Sequence, residues 1–192
     1  GVLKVLEDLG IRIDAIAGTS MGAVVGGLYA SGLNAREIEQ VMTSVNWADA
    51  FRDLPVRADL NFRHKAEDKN FLVKLPLGLR HGNFLLPKGL IQGQKLSQIL
   101  RRLSLPVASI HDFDALPTRF RALATDLQSG ASVTLHDGDL AQAMRASLSA
   151  PGVFAPVTID GRSLVDGGLT ANLPVDVARA MDVDVLIVVD VG

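Results

Sequence analysis

Apolar positions along this chain fall into blocks whose spacing alternates between helical and strand-like. Val2, Leu3, Val5, Leu6 and Leu9 recur at helical intervals and stop at Gly10, predicting a helix over 2–9. Ile13 to Ala17 is a short β-branched run, read as a sheet-core strand, and Met21 to Ala30 is a compact apolar helix ended by Gly32. Asn34 with Glu37 three residues later forms a capping-box pattern that opens a helix reaching about Val45, and Trp47 and Phe51 beyond it are read as core. Leu96, Ile99, Leu100 and Leu103 share one face of a helix over 93–103. Strands are expected at 120–126 and 132–135 around a Ser129-Gly130 turn, and a helix over 140–148 that breaks at Ala150-Pro151-Gly152. A hairpin follows at 157–159 and 163–165 about Asp160-Gly161, then a helix opened by Asn172 and Pro174, then a buried strand over 183–189. Helices and strands alternating in this way define an α/β chain, and the first helix lacks the strand that normally feeds one.

Between the second and third blocks the chain reads Gly18-Thr19-Ser20-Met21-Gly22. With a strand before it and a helix after it, this G-x-S-x-G has the setting of a nucleophile elbow, which holds a serine hydroxyl exposed at the tip of a sharp turn. Gly18 is expected to take a backbone conformation closed to other residues, and Gly22 to leave room for the helix to start against the strand. In a chain with 18 glycines the bare pattern arises readily by chance, and glycines here also suit tight packing or a phosphate at the helix start. No lysine follows the last glycine, so the loop is not a Walker A loop. The flanking strand and helix favour Ser20 as a nucleophile.

A serine hydroxyl needs a neighbouring base. The chain offers four histidines and 21 acidic residues. His64, His81, His111 and His136 all precede Asp166, so a triad in the order Ser, Asp, His cannot be assembled around that acid. Asp166 directly follows an apolar strand and precedes Gly167 and Gly168, which puts a carboxylate at a strand end where backbone can approach closely. Alone, Asp-Gly-Gly reads as a turn. Beside the serine elbow it reads as the base of a two-residue engine.

Four segments in order, Gly18-Thr19-Ser20-Met21-Gly22, Ala124-Thr125-Asp126-Leu127, Arg145 to Pro156, and Asp166-Gly167-Gly168, resemble the patatin-like phospholipase family in its bacterial branch, over nearly the whole chain. The resemblance implies a three-layer α/β/α sandwich with a mainly parallel central sheet, related to cytosolic phospholipase A2. It implies a Ser20–Asp166 dyad that cleaves lipid acyl esters through an acyl-enzyme, with no cofactor and no metal. Family members also carry a glycine-rich loop before the first helix whose N–H groups form the oxyanion hole. This sequence begins after that point, so residues 1–192 are expected to be one patatin-like domain, incomplete at both ends. Loss of one oxyanion donor typically costs about 100- to 1000-fold in turnover, and the Met21 N–H at the helix start is the partial substitute.

Composition narrows the partners. A chain of 192 residues that is 48% hydrophobic can bury a substantial core, and a net charge of −2 gives no general affinity for nucleic acid. The chain has no cysteine, which removes disulfides and thiol nucleophiles. Arg57 to Lys88 stands apart, with seven basic residues against three acidic ones among Phe62, Phe71, Leu72, Phe84, Leu85 and other apolar side chains. It reads equally as a lid or surface that meets anionic lipid and as a long connection folded over the core. The expected partner is a phospholipid or other acyl ester, with peripheral membrane contact through 57–88 and a cytoplasmic or membrane-peripheral location. Two rivals use the same residues: a lipid-binding or regulatory module impaired in catalysis, and an acyltransferase that passes the acyl group to an alcohol.

Overall fold

A computed structural model describes residues 1–51 and 92–191, together with the backbone of 78–80 and 83–85. In chain order the elements are α1 (Val2–Asp8), β1 (Ala15–Thr19), α2 (Met21–Ala30), α3 (Ala35–Ser44), α4 (Trp47–Ala50), β2 (Gly78–Arg80), β3 (Asn83–Leu85) and α5 (Gln94–Leu103). They continue with β4 (Arg119–Asp126), β5 (Ser132–Leu135), α6 (Leu140–Ser147), β6 (Val157–Ile159), β7 (Arg162–Asp166) and α7 (Val175–Arg179). A 3-10 turn, Gly167–Leu169, follows β7 directly.

Strand β4 is the axis of the main sheet. Its residues Arg119 to Leu123 pair in parallel with Ala15 to Thr19 of β1, and Ala122 to Thr125 pair antiparallel with β5 on the opposite edge. Ala124 to Asp126 then pair antiparallel with β7, and β6 completes the order. Among the described strands β1–β4 is the one parallel pair, so the sheet is mixed where a mainly parallel one was expected. Two of its three antiparallel pairs have a local cause: the tight turns at Gly130 and at Asp160-Gly161 join neighbouring strands as hairpins, which can only run antiparallel. Asp160 and Gly161 both have positive φ, +49° and +76°, the hand that matches strand twist in a two-residue hairpin.

One face of β4 carries Phe120, Ala122 and Ala124, all fully buried, into a core shared with Ala23, Val24 and Leu28 of α2 and Ala143 and Met144 of α6. Leu96 and Leu100 of α5 extend that core, and Phe113 stacks against Phe120 with ring centroids 6.0 Å apart. The small residues of α2 allow this approach, since a Cβ at Gly27 would fall 2.6 Å from the Met144 sulfur. On the opposite face lie Leu123 and Thr125, 1% and 4% exposed, with the 3-10 turn packed against β4. Helix α3 opens with the predicted capping box: Asn34 Oδ1 accepts from the N–H groups of Arg36 and Glu37, and Glu37 Oε2 accepts from Asn34 N–H at 2.8 Å. Such a cap contributes about 1 kcal/mol. Trp47 and Phe51 pack on the core as expected, with Phe51 edge-on to Phe154 at 5.4 Å.

Residues 183–189, expected as a buried strand, are neither strand nor buried: Val185 is 78% exposed and Ile187 52%. A strand needs an edge to receive its N–H and C=O groups, and this run pairs with none of the described strands. The stretch 57–88 lies outside the described residues, apart from the antiparallel backbone pair β2–β3 within it. No helix among the described residues is long and apolar enough to cross a membrane.

Candidate active site

The site forms where two strand ends meet. β1 runs parallel to β4 and β7 antiparallel, both on the edge that β5 leaves open, so their C-terminal ends approach head-on. The last pair of β1 is Thr19 with Leu123, and the last pair of β7 is Asp166 with Ala124, the next residue of β4. Ser20 and Asp166, which are 146 residues apart in sequence, are thereby brought side by side.

Ser20 sits between β1 and α2 with φ +54° and ψ −124°. A non-glycine residue with that backbone stores on the order of 1–3 kcal/mol of strain, and the surroundings hold it there. Part of the restraint is the fit of Gly18, where a Cβ would lie 2.5 Å from the Gly22 carbonyl oxygen and 2.7 Å from Ala23 N. The glycines therefore act differently from the expectation. Gly18 supplies space and not an unusual φ, the unusual φ belongs to Ser20, and Gly22 is exposed with nothing within 4 Å of an added Cβ.

From this position Ser20 Oγ donates to Asp166 Oδ2 at 2.7 Å, a short bond of the kind made to a carboxylate. The other carboxylate oxygen, Oδ1, accepts from Gly168 N–H at 2.8 Å, which fixes the plane of the group and leaves Oδ2 for the serine. Gly167 has to be glycine because a Cβ there would fall 2.3 Å from the Leu123 carbonyl oxygen. The Asp166 backbone is tied at both ends: its N–H donates to Ser149 O at 2.9 Å and its C=O accepts from Thr125 Oγ1 at 2.9 Å. Thr125 Oγ1 also lies 3.0 Å from Thr170 Oγ1, and Thr19 Oγ1 donates to Ala171 O at 3.1 Å. Behind Ser20, its N–H donates to Ser147 Oγ at 2.9 Å, and Ser147 Oγ donates to Leu123 O at 2.5 Å.

Ser20 and Asp166 are both half-buried, reachable from outside while screened from bulk water on one side. The Met21 N–H opens α2 and makes no hydrogen bond among the described residues, so it is free to meet an anion at the positive end of the helix. Met21, Leu169 and Leu173, which follow the two site residues along the chain, are exposed at 37%, 61% and 38%. His111 and His136 are exposed on two loops bridged at Asp112 and Asp137, and His64 and His81 lie outside the described residues. No group of three or more His, Asp or Glu among the described residues stands close enough to hold a metal ion.

Thr125, Ser147 and Ser149 were not assigned by sequence reasoning. All three lie inside the segments that carry the family resemblance, and that was the available signal.

Fold and site together define a class: an α/β protein whose strand-to-helix elbow turns a serine hydroxyl toward a carboxylate. A family model described as patatin-like phospholipase matches residues 1–179. The chain is 32% identical over 192 residues to an uncharacterized NTE family protein of Mycobacterium tuberculosis, covering 100% of this chain and 44% of that protein. It is 31% identical over 194 residues to patatin-like phospholipase domain-containing protein 7 of Rattus norvegicus, and 29% over 196 to patatin-like phospholipase domain-containing protein 6 of Homo sapiens. In both mammalian cases all of this chain aligns with 12% of the relative. The chain belongs to the patatin-like phospholipase family. It spans less than half the length of these curated relatives.

Proposed function

We propose that this chain carries the catalytic centre of a serine esterase acting on acyl lipids, with Ser20 as nucleophile and Asp166 as base. The observation that carries the reading is the 2.7 Å bond from Ser20 Oγ to Asp166 Oδ2 on a strained elbow. Ser20 Oγ attacks the ester carbonyl carbon as its proton passes to Asp166 Oδ2. The carbonyl oxygen becomes an oxyanion, and the Met21 N–H is the donor at hand for it. The tetrahedral adduct collapses, the carbon–oxygen bond to the alcohol breaks, and Asp166 returns the proton to that leaving oxygen, which leaves an acyl ester on Ser20. Water then gives its proton to Asp166, attacks the acyl carbon, and releases the acid as Ser20 is reprotonated. The exposed apolar residues Met21, Leu169 and Leu173 suit an acyl chain better than a charged substrate. The printed descriptions of the family and of its mammalian relatives, phospholipase, support the same substrate class.

The test is fluorophosphonate labelling with the adduct located by mass spectrometry, alongside ester turnover in Ser20→Ala and Asp166→Asn. A single adduct on Ser20 and loss of turnover in both variants are expected. Unchanged turnover in both would sink the reading, and lipid association without labelling or turnover would favour the binding-module rival. Product analysis with a competing alcohol separates hydrolysis from acyl transfer.

A further inference from the structure

We infer that Ser147 is a positioning residue for Ser20, a side-chain rung that holds the elbow in register with the base; this rests on Ser20 being the nucleophile. The β1–β4 ladder ends at Thr19 and Leu123, and at the next residue the φ of +54° swings the chain out of strand geometry. The Ser20 N–H and the Leu123 carbonyl are left beyond the last pair. Ser147 Oγ lies between them, accepting from Ser20 N–H at 2.9 Å and donating to Leu123 O at 2.5 Å. A hydroxyl has one proton, so with that proton on Leu123 O its oxygen faces Ser20 only as an acceptor. The orientation of the Ser20 peptide is thus set from outside its own loop.

Ser147 is fully buried at the end of α6, where an unmet polar group is costly, so the rung stays closed. Two residues on, Ser149 O accepts from the Asp166 N–H at 2.9 Å. One three-residue stretch therefore grips the backbone N–H of both site residues and sets the distance between Oγ and Oδ2. The stretch is itself anchored, because the buried Arg145 donates to Ser149 Oγ at 2.5 Å and lies 4.5 Å from the Phe154 ring centroid. The hydroxyl touches neither reacting atom, so its effect on the reaction passes through Ser20.

The experiment compares parent, Ser147→Ala and Ser147→Thr for the rate of fluorophosphonate labelling at Ser20 and for kcat and KM on a short-chain ester, with folding followed by circular dichroism. Misplacement of a reacting group by about 1 Å can cost about 100-fold, so Ser147→Ala is expected to lose about 10- to 100-fold in labelling rate and kcat with KM within about 2-fold. Ser147→Thr keeps the hydroxyl and is expected to recover most of that loss. A folded Ser147→Ala that labels at the parent rate overturns the inference, as does a loss that Ser147→Thr does not relieve. If Ser147→Ala does not fold, amide exchange at Ser20 in the parent decides: slow exchange beside a fast Met21 amide supports the rung, and fast exchange at Ser20 overturns it. A parent that gives no adduct on Ser20 overturns the nucleophile reading and this inference together, a result distinct from the others.

Discussion

At the elbow Ser20 carries a φ of +54°, whereas at the turn Asp166 has φ −49° and ψ 130°, values open to any residue. The two segments deliver their side chains to one point under different restraint. The Asp166 carboxylate is oriented by its own turn, through Gly168 N–H on Oδ1, while its backbone is held by Ser149 O, Thr125 Oγ1 and the packing of Gly167 on Leu123 O. Ser20 is held partly from afar, by a hydroxyl 127 residues away, and partly within its own motif, by the fit of Gly18 against Gly22 and Ala23. The difference follows from what each group has to do. A carboxylate accepts hydrogen bonds from the turn it begins, so its geometry is fixed locally. A hydroxyl held out on a sharp reversal makes no hydrogen bond within its own turn, and the strain is held by the close packing of Gly18 and by the Ser147 contact.

Removing the hydroxyl or the charge is the largest perturbation. Ser20→Ala and Asp166→Asn are each expected to lower ester turnover by roughly 10⁴-fold or more while the protein stays folded, measured as kcat with circular dichroism as the control. Next come the two close backbone approaches. Gly18→Ala and Gly167→Ala each drive a Cβ to within 2.5 Å or less of a carbonyl oxygen. Overpacking of that kind is expected to cost about 3 kcal/mol in urea unfolding, and equal losses in the two would show that elbow and turn depend alike on backbone contact. Thr125→Val leaves the Asp166 carbonyl without its side-chain donor and is expected to cost about 1–2 kcal/mol, an effect confined to the turn. Gly22→Ala is the smallest. The site is open and in the first turn of α2, so stability is expected to hold or rise by up to about 1 kcal/mol. A loss at Gly22→Ala as large as that at Gly18→Ala would erase the distinction between the two elbow glycines.

Much of this was legible in advance, and each exception has its own physical cause. Helices α2, α3, α5 and α6 and the two hairpins follow local signals: apolar spacing, the Asn34–Glu37 box, and the Ser129-Gly130 and Asp160-Gly161 turns. The run at 183–189 is as apolar and β-branched as any strand in the chain, yet it is exposed and unpaired among the described residues. A pattern nominates a strand, but only a neighbouring edge satisfies its backbone. The glycine roles failed for a closer reason, the packing of Gly18 against Gly22 and Ala23. G-x-S-x-G marks a reversal without saying which of its residues takes the positive φ, because that depends on what packs above Gly18.

The sequence by itself determined the α/β alternation, the family and the two residues to watch, since each rests on spacing or on a motif readable within a few neighbours. Only the tertiary structure decided that β1 and β7 meet end to end on one edge of β4, that Ser20 carries the strain, and that Ser147 lies behind it. The meeting of the strands and the place of Ser147 depend on contacts far apart in the chain, 127 positions between Ser20 and Ser147, and the strain at Ser20 depends on how Gly18 fits under the start of α2. They come from strand pairing and close packing across the whole fold, which no local pattern encodes.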